Sequence, residues 1–281
     1  MGLHRFRIVN VFTRGREALT GNPLCVFEDG AGFDTATMQA LALQFNLSET
    51  TFILPSSVAD ARVRIFTPRF EMPFAGHPTL GTAHVLRAMR SGGDSLRLEL
   101  AAACIAVRAE RDQWTLTAPV AGWREPDVTR AEIAAALSLQ DSDIGERPLW
   151  VKAGAEQLIV PLTSAEAVRR AAPRLEAVEI LRSAEGVAMA YVFAPAVTGL
   201  VARFFFAQGP VMLEDPATGS ATANLGGWWR AMSRPLPVAL EIAQGEATGR
   251  PSVLRLQVSA EGQCHVSGEV IEIGSGTVQL N

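Results

Sequence analysis

Short apolar runs with alternating polarity recur along the whole chain, and they predict a molecule built mostly of strands. Runs at 5–12, 62–67, 97–100, 105–108 and 114–117 read as strands in the first half. Those at 158–162, 189–193, 202–206, 253–258, 265–266 and 270–273 do so in the second. Many lie only a few residues apart, which favours hairpins and antiparallel or mixed pairing. Helical periodicity is scarcer. Asp34 is placed to cap a helix running to Gln44, with Met38, Leu41, Ala42 and Phe45 on one face. Thr129 and Glu132 have the spacing of a capping box ahead of 133–137. Two further helices, at 78–89 and 219–232, are apolar nearly all round and rich in Ala, Gly and Thr. A helix without a polar face is buried on all sides.

The two halves share a loose order of strands, a tight Gly/Pro/Thr turn and a buried helix. The counterpart turns are Gly-His-Pro-Thr-Leu-Gly-Thr-Ala at 76–83 and Asp-Pro-Ala-Thr-Gly-Ser-Ala-Thr at 215–222. This order predicts an α+β protein of two similar domains, each a mixed or antiparallel sheet wrapped around a central helix. Gly122, Pro126 and Asp127 interrupt the pattern, so the expected division is 1–122 and 123–281, with the last strand free to return to the first domain.

Composition narrows the partners. The hydrophobic share of 48% against 19% charged supports a large core across 281 residues. The net charge is -4 and the basic residues are scattered, which argues against nucleic acid or an anionic membrane as partner. No apolar run reaches the ~20 residues of a membrane span, and the N-terminus lacks the apolar core of a signal peptide. Cys25, Cys104 and Cys264 are far apart and odd in number, which fits a reducing cytoplasm better than a disulfide framework.

Three segments carry candidate chemistry. The first, Asn-Leu-Ser-Glu-Thr-Thr-Phe at 46–52, puts Glu49 between an amphipathic helix and an apolar strand. A carboxyl that loses water there has its pKa raised and can both take and give a proton near neutral pH. A solvated loop glutamate or a local cap satisfies the same spacing. The second runs from Pro73 to Gly81 and enters a buried helix. Pro78 suits a first helical turn, and the N–H groups around Gly76 and His77 favour an anion such as a substrate carboxylate. His77 can relay a proton or donate a hydrogen bond; equally it can cap or pack.

The third segment is Glu-Asp-Pro-Ala-Thr-Gly-Ser-Ala at 214–221. Gly219 and Ser220 open the second buried helix there, and Asp215 is held extended by Pro216. An ordinary cap by Asp215 or Thr218 is the plainer alternative. The chain has no CxxC, HExxH, GxSxG or strand-linked GxGxxG, and its four histidines lack metal-ligand spacing.

Taken in order, these segments resemble the PhzF family of phenazine biosynthesis. Further landmarks are Asn-Val-Phe-Thr at 10–13, Gly-Asn-Pro-Leu at 21–24, Arg-Ile-Phe-Thr-Pro at 64–68, Glu71, and Gly-Arg-Pro-Ser at 249–252, so the likeness spans 10 to 252. The resemblance implies a fold like diaminopimelate epimerase with the active site in a cleft between domains. It also implies a homodimer, no metal or organic cofactor, and a small-molecule carboxylate as substrate. The epimerases use two facing cysteines; here Glu49 and Asp215 stand in the matching regions instead.

By motif, the family's catalytic glutamate carries over to Glu49, with His77 and Asp215 assisting and Gly76, Gly219 and Ser220 binding substrate. The best understood family reaction isomerises trans-2,3-dihydro-3-hydroxyanthranilate. Two alternatives stay open on the sequence: a two-base racemase or epimerase using Glu49 and Asp215, and a binding protein that kept the pocket and lost turnover.

Overall fold

The computed structural model describes residues 2–280. The chain divides into two compact units, Met1–Thr117 with Ser267–Asn281, and Ala118–Val266. Both are α+β and mostly strand, as the pattern of the chain predicts.

The first unit holds β1 (Gly2–Val11), β2 (Asn22–Phe27), α1 (Thr35–Phe45), β3 (Glu49–Leu54), β4 (Ala61–Phe66), β5 (Glu71–Met72), α2 (Gly76–Met89), β6 (Ser95–Glu99), β7 (Cys104–Glu110) and β8 (Gln113–Thr117). β1 pairs antiparallel with β2, β2 parallel with β3, and β3 antiparallel with β4. β4 then runs parallel to β6, and β6, β7 and β8 form an antiparallel meander. α2 packs against β1, β2, β3, β4, β6 and β8, so the sheet curls around it.

The second unit repeats the plan. It contains β9 (Gly122–Arg124), α3 (Arg130–Ala136), β10 (Leu149–Lys152), β11 (Glu156–Pro161), α4 (Ala165–Arg170), β12 (Met189–Pro195), β13 (Leu200–Gln208), β14 (Val211–Asp215), α5 (Gly219–Ala231), β15 (Val238–Gln244) and β16 (Ser252–Val258). β11 pairs parallel with β12, β13 pairs antiparallel with β12 and β14, and β15 antiparallel with β16. α5 packs against β9, β10, β11 and β16. The last strand, β17 (Cys264–Leu280), is continuous. Its residues from Ser267 onward belong to the first unit, where they pair antiparallel with β1.

Both central helices are buried because they carry little but small and apolar residues. From Gly76 to Leu86, only His84 of α2 escapes full burial. Small residues let the sheet approach closely. A Cβ on Gly81 would sit 2.6 Å from Leu24 and 2.9 Å from Val11, and one on Gly227 would sit 2.5 Å from Ala121 and 2.7 Å from Val151. The outer face of each sheet has its own helices. α1 covers Cys25, Phe27, Phe52 and Phe66. α3 and α4 cover Leu158, Val160, Ala190, Val192 and Phe205.

The capping readings hold in detail. Asp34 accepts from the Thr37 N–H, and Thr129 and Glu132 exchange both bonds of a capping box. Among the described residues no helix is long and apolar enough to cross a membrane.

Candidate active site

The period of a strand decides what Glu49 faces. Along β3, Thr50 and Phe52 share one side, and Phe52 packs on the α1 core. Glu49 and Thr51 take the other side, toward α2. Two polar contacts tie β3 to that helix. The Thr51 and Thr82 hydroxyls bond at 2.8 Å in full burial. One strand step earlier, Glu49 Oε2 lies 3.1 Å from His77 Nε2. The side chains of Glu49 and His77 are only 15% and 7% exposed. Glu49 is therefore the first residue of a strand rather than part of a link, and it is held against the first turn of the buried helix.

The chemistry of this pair follows from hydrogen bonding. A carbonyl can only accept, so the bond between His77 and the Pro23 backbone carbonyl requires an N–H on the imidazole. Since Nε2 faces Glu49, that N–H is on Nδ1. Burial opposes a second proton on the ring and drives the His77 pKa down to about 3, with the Pro23 bond pulling weakly the other way. Nε2 is then a lone-pair acceptor. A carboxylate oxygen facing it would meet lone pair with lone pair; a carboxyl O–H would donate to it. With its lone pair toward Glu49, His77 Nε2 can accept a hydrogen bond from a protonated Glu49 carboxyl.

A buried neutral histidine has a thermodynamic signature. In the unfolded chain His77 takes a proton below about pH 6.5, while in the folded chain it does so only near 3. Across that window the unfolded state binds more protons, so acid destabilises the fold. This group contributes its full stability above about pH 6.5 and loses up to about 1.4 kcal/mol per pH unit as pH falls toward 3. Urea denaturation of the parent and of His77→Gln between pH 7.5 and 4 is expected to show a shallower slope in the variant. Equal slopes would mean that His77 titrates normally in the folded chain.

The second unit carries the Asp215 cluster. Thr218, at the N-cap of α5, does not cap the helix with its side chain. Its hydroxyl instead donates to Asp215 Oδ2 at 2.5 Å. Gln244, only 1% exposed, closes the turn by donating to the Asp215 carbonyl (2.9 Å) and the Thr218 hydroxyl (3.0 Å). Ser220 accepts from Gln157 at 3.0 Å, and Gln157 in turn accepts from Asn224 at 2.8 Å. Asn224 also donates to the Ala155 carbonyl and accepts from the Ala153 N–H.

Neither α2 nor α5 has a side-chain cap or an acidic residue in its first turn. Their opening N–H groups, around Gly76–His77 and Gly219–Ser220, are therefore oriented donors with the positive end of a helix dipole behind them.

The structure brings Glu49, His77 and Gly76 together in the first unit, and Asp215, Gly219 and Ser220 together in the second. Sequence reasoning missed Gln157, Asn224 and Gln244. The signal was there for Asn224, a polar residue in an otherwise apolar helix. The Gly-Arg-Pro-Ser landmark belongs to a turn packed on the Asp215 loop, since a Cβ on Gly245 would lie 2.5 Å from the Pro216 carbonyl. Glu71 makes a two-point pair with Arg64, at 2.7 and 2.6 Å, on an exposed surface. Burial pushes the Cys25 and Cys264 thiols up, so neither is a ready thiolate. Among the described residues no group of three or more His, Cys, Asp or Glu side chains is placed to hold a metal ion.

Two units that each close a mostly stranded sheet around one buried helix define the epimerase-like α+β fold class. The chain matches the phenazine biosynthesis-like (PhzC-PhzF) family over residues 9–276 and belongs to that family as an isomerase. It is 34% identical to an uncharacterized isomerase of Pasteurella multocida, over 97% of this chain and 93% of that one. It is 37% identical to the trans-2,3-dihydro-3-hydroxyanthranilate isomerase of Pseudomonas aeruginosa, over 92% of this chain and 91% of the relative. The crystal structure of a Bacillus anthracis phenazine biosynthesis protein of the PhzF family shares the fold with a TM-score of 0.85, covering all of both chains at 22% identity.

Proposed function

We propose that this isomerase moves one proton within a small carboxylated substrate, without a cofactor, and that Glu49 is its only acid/base. The observation that carries this reading is the 3.1 Å contact between Glu49 Oε2 and a neutral, buried His77 Nε2. In the first step Glu49 takes a proton from an activated carbon. The C–H bond breaks, a carboxyl O–H forms, and the electron pair enters the conjugated system of the substrate. His77 Nε2 accepts a hydrogen bond from the new carboxyl and stabilises it. In the second step the O–H breaks and the proton returns to another carbon of the same molecule. Atoms and electrons balance, and a double bond has moved.

The N–H groups near Gly219 and Ser220 bind the substrate carboxylate, with Gly76 supplying a further donor. Asp215 orients an amine or ring. Asp215 Oδ2 already accepts the Thr218 hydroxyl at 2.5 Å, which suits an orienting task better than service as a second base.

The substrate proposed for the test is trans-2,3-dihydro-3-hydroxyanthranilate, the compound named for the Pseudomonas aeruginosa relative. Incubated with the enzyme in D₂O and followed by NMR, it is expected to show a relocated double bond and no inverted stereocentre. Inversion with deuterium at that carbon and no double-bond shift would establish two-base epimerisation instead.

A further inference from the structure

We propose that the β13–β14 hairpin beside Asp215 is a subsite for the hydrocarbon body of the substrate, and that Phe206 and Leu213 determine its specificity. This rests on the carboxylate-binding role given above to the start of α5.

The register defines the surface. Phe204 pairs with Asp215, and one step along, Phe206 pairs with Leu213. Residues two apart on a strand share a face, so Phe206 and Leu213 lie on the same face as the Asp215 side chain. Met189 joins them, because β12 places it opposite Phe206. The other face is taken: Phe205 and Met212 pack into the α3–α4 core. Glu214, on that same side, holds Arg203 at 2.6 Å.

The helix leaves this surface open. Along the inner face of the sheet, rings follow one another from Phe193 and Tyr191 to Phe204 and Phe206. α5 covers the first two, with Trp228 5.1 Å from Phe193 and Thr222 beside the Tyr191 hydroxyl. The next step along a strand is about 6.6 Å, or about four residues of helix rise. Counted back from Thr222, that reaches Thr218, where α5 begins. The rung formed by Met189, Phe206 and Leu213 therefore lies at the mouth of the helix.

Burial falls along the same line. Phe204 is 5% exposed, whereas Leu213 is 38% and Val211 46% exposed. No charged side chain stands in the rung, so it suits the apolar edge of a ring, and a charged group laid there would lose water without a partner. An acid with a hydrocarbon body would instead lay it on this patch while its carboxylate meets the N–H groups of Gly219 and Ser220.

The test uses two probes with the same spacing of amine and carboxylate: anthranilate, which has a ring, and β-alanine, which does not. Their dissociation constants are measured by NMR titration on the parent, on Leu213→Asn and on Phe206→Ala, with the melting curve of each variant recorded. Leu213 is exposed, so its variant keeps the fold even where Phe206→Ala does not. The expected result is tighter binding of anthranilate to the parent, an approximately ten-fold loss for anthranilate in each variant that melts like the parent, and no change for β-alanine. Equal losses for both probes, or no loss for either, would overturn the subsite alone. A parent that binds neither probe would overturn the carboxylate reading, and this inference with it.

Discussion

Glu49→Gln is expected to lower kcat about 10²–10⁴-fold while KM stays close to that of the parent. The amide has the shape of the carboxyl and can donate an N–H to His77 Nε2. The contact at 3.1 Å therefore survives the change, as does the bond from His77 to the Pro23 carbonyl. What is lost is the one group able to take a proton from carbon and return it. Steady-state kinetics with trans-2,3-dihydro-3-hydroxyanthranilate separate the two quantities. A parallel rise in KM would show that Glu49 mainly binds substrate. Turnover near that of the parent would remove Glu49 from the mechanism.

The second large effect concerns stability. Trp228→Ala is expected to cost about 4 kcal/mol, a large fraction of the stability of a typical domain. Trp228 is fully buried in α5. Its ring meets Phe193 edge-on at 5.1 Å, the Arg234 guanidinium lies 5.1 Å from its centre, and its Nε1–H donates to the Arg147 carbonyl at 2.8 Å. Alanine removes the ring, leaves a cavity and orphans that carbonyl. Trp228→Phe keeps most of the packing and is expected to cost less than half as much. Urea denaturation compares the two. Near-parental stability in the alanine variant would mean that the core around α5 collapses onto the space without penalty.

The parts of the fold legible in the sequence were those set by local pattern. α2 and α5 stood out because residues such as Leu80, Ala83, Ala221 and Leu225 leave no polar face, and the structure buries all four. α2 begins two residues before the predicted start, at Gly76, because Ala75 takes the extended N-cap conformation. β2 escaped notice for a physical reason. Leu24 contacts the α2 side and Cys25 and Phe27 the α1 side, so a strand covered on both faces shows no alternation. The two short runs at the C-terminus are one strand, since β17 continues through Ser267 and Gly268. Gly268 lies where a side chain would strike Phe12.

The site was legible only as separate segments. Glu49 and His77 each allowed a plain structural explanation. Only the pairing of β3 with α2 shows that they meet, because a contact between residues 28 positions apart leaves no periodic trace. The same holds for Gln157, Asn224 and Gln244. They lie on three elements and converge on the Asp215–Ser220 turn through bonds spanning 26 to 67 positions.

Everything proposed for the reaction depends on His77 being neutral with Nε2 bare, so that the carboxyl formed when Glu49 takes its proton meets a hydrogen-bond acceptor. The ¹⁵N NMR spectrum of His77 at pH 7 reads this directly. The account requires a neutral ring with the hydrogen on Nδ1 and a bare, hydrogen-bond-accepting Nε2. A ring protonated on Nε2, or on both nitrogens, would contradict it.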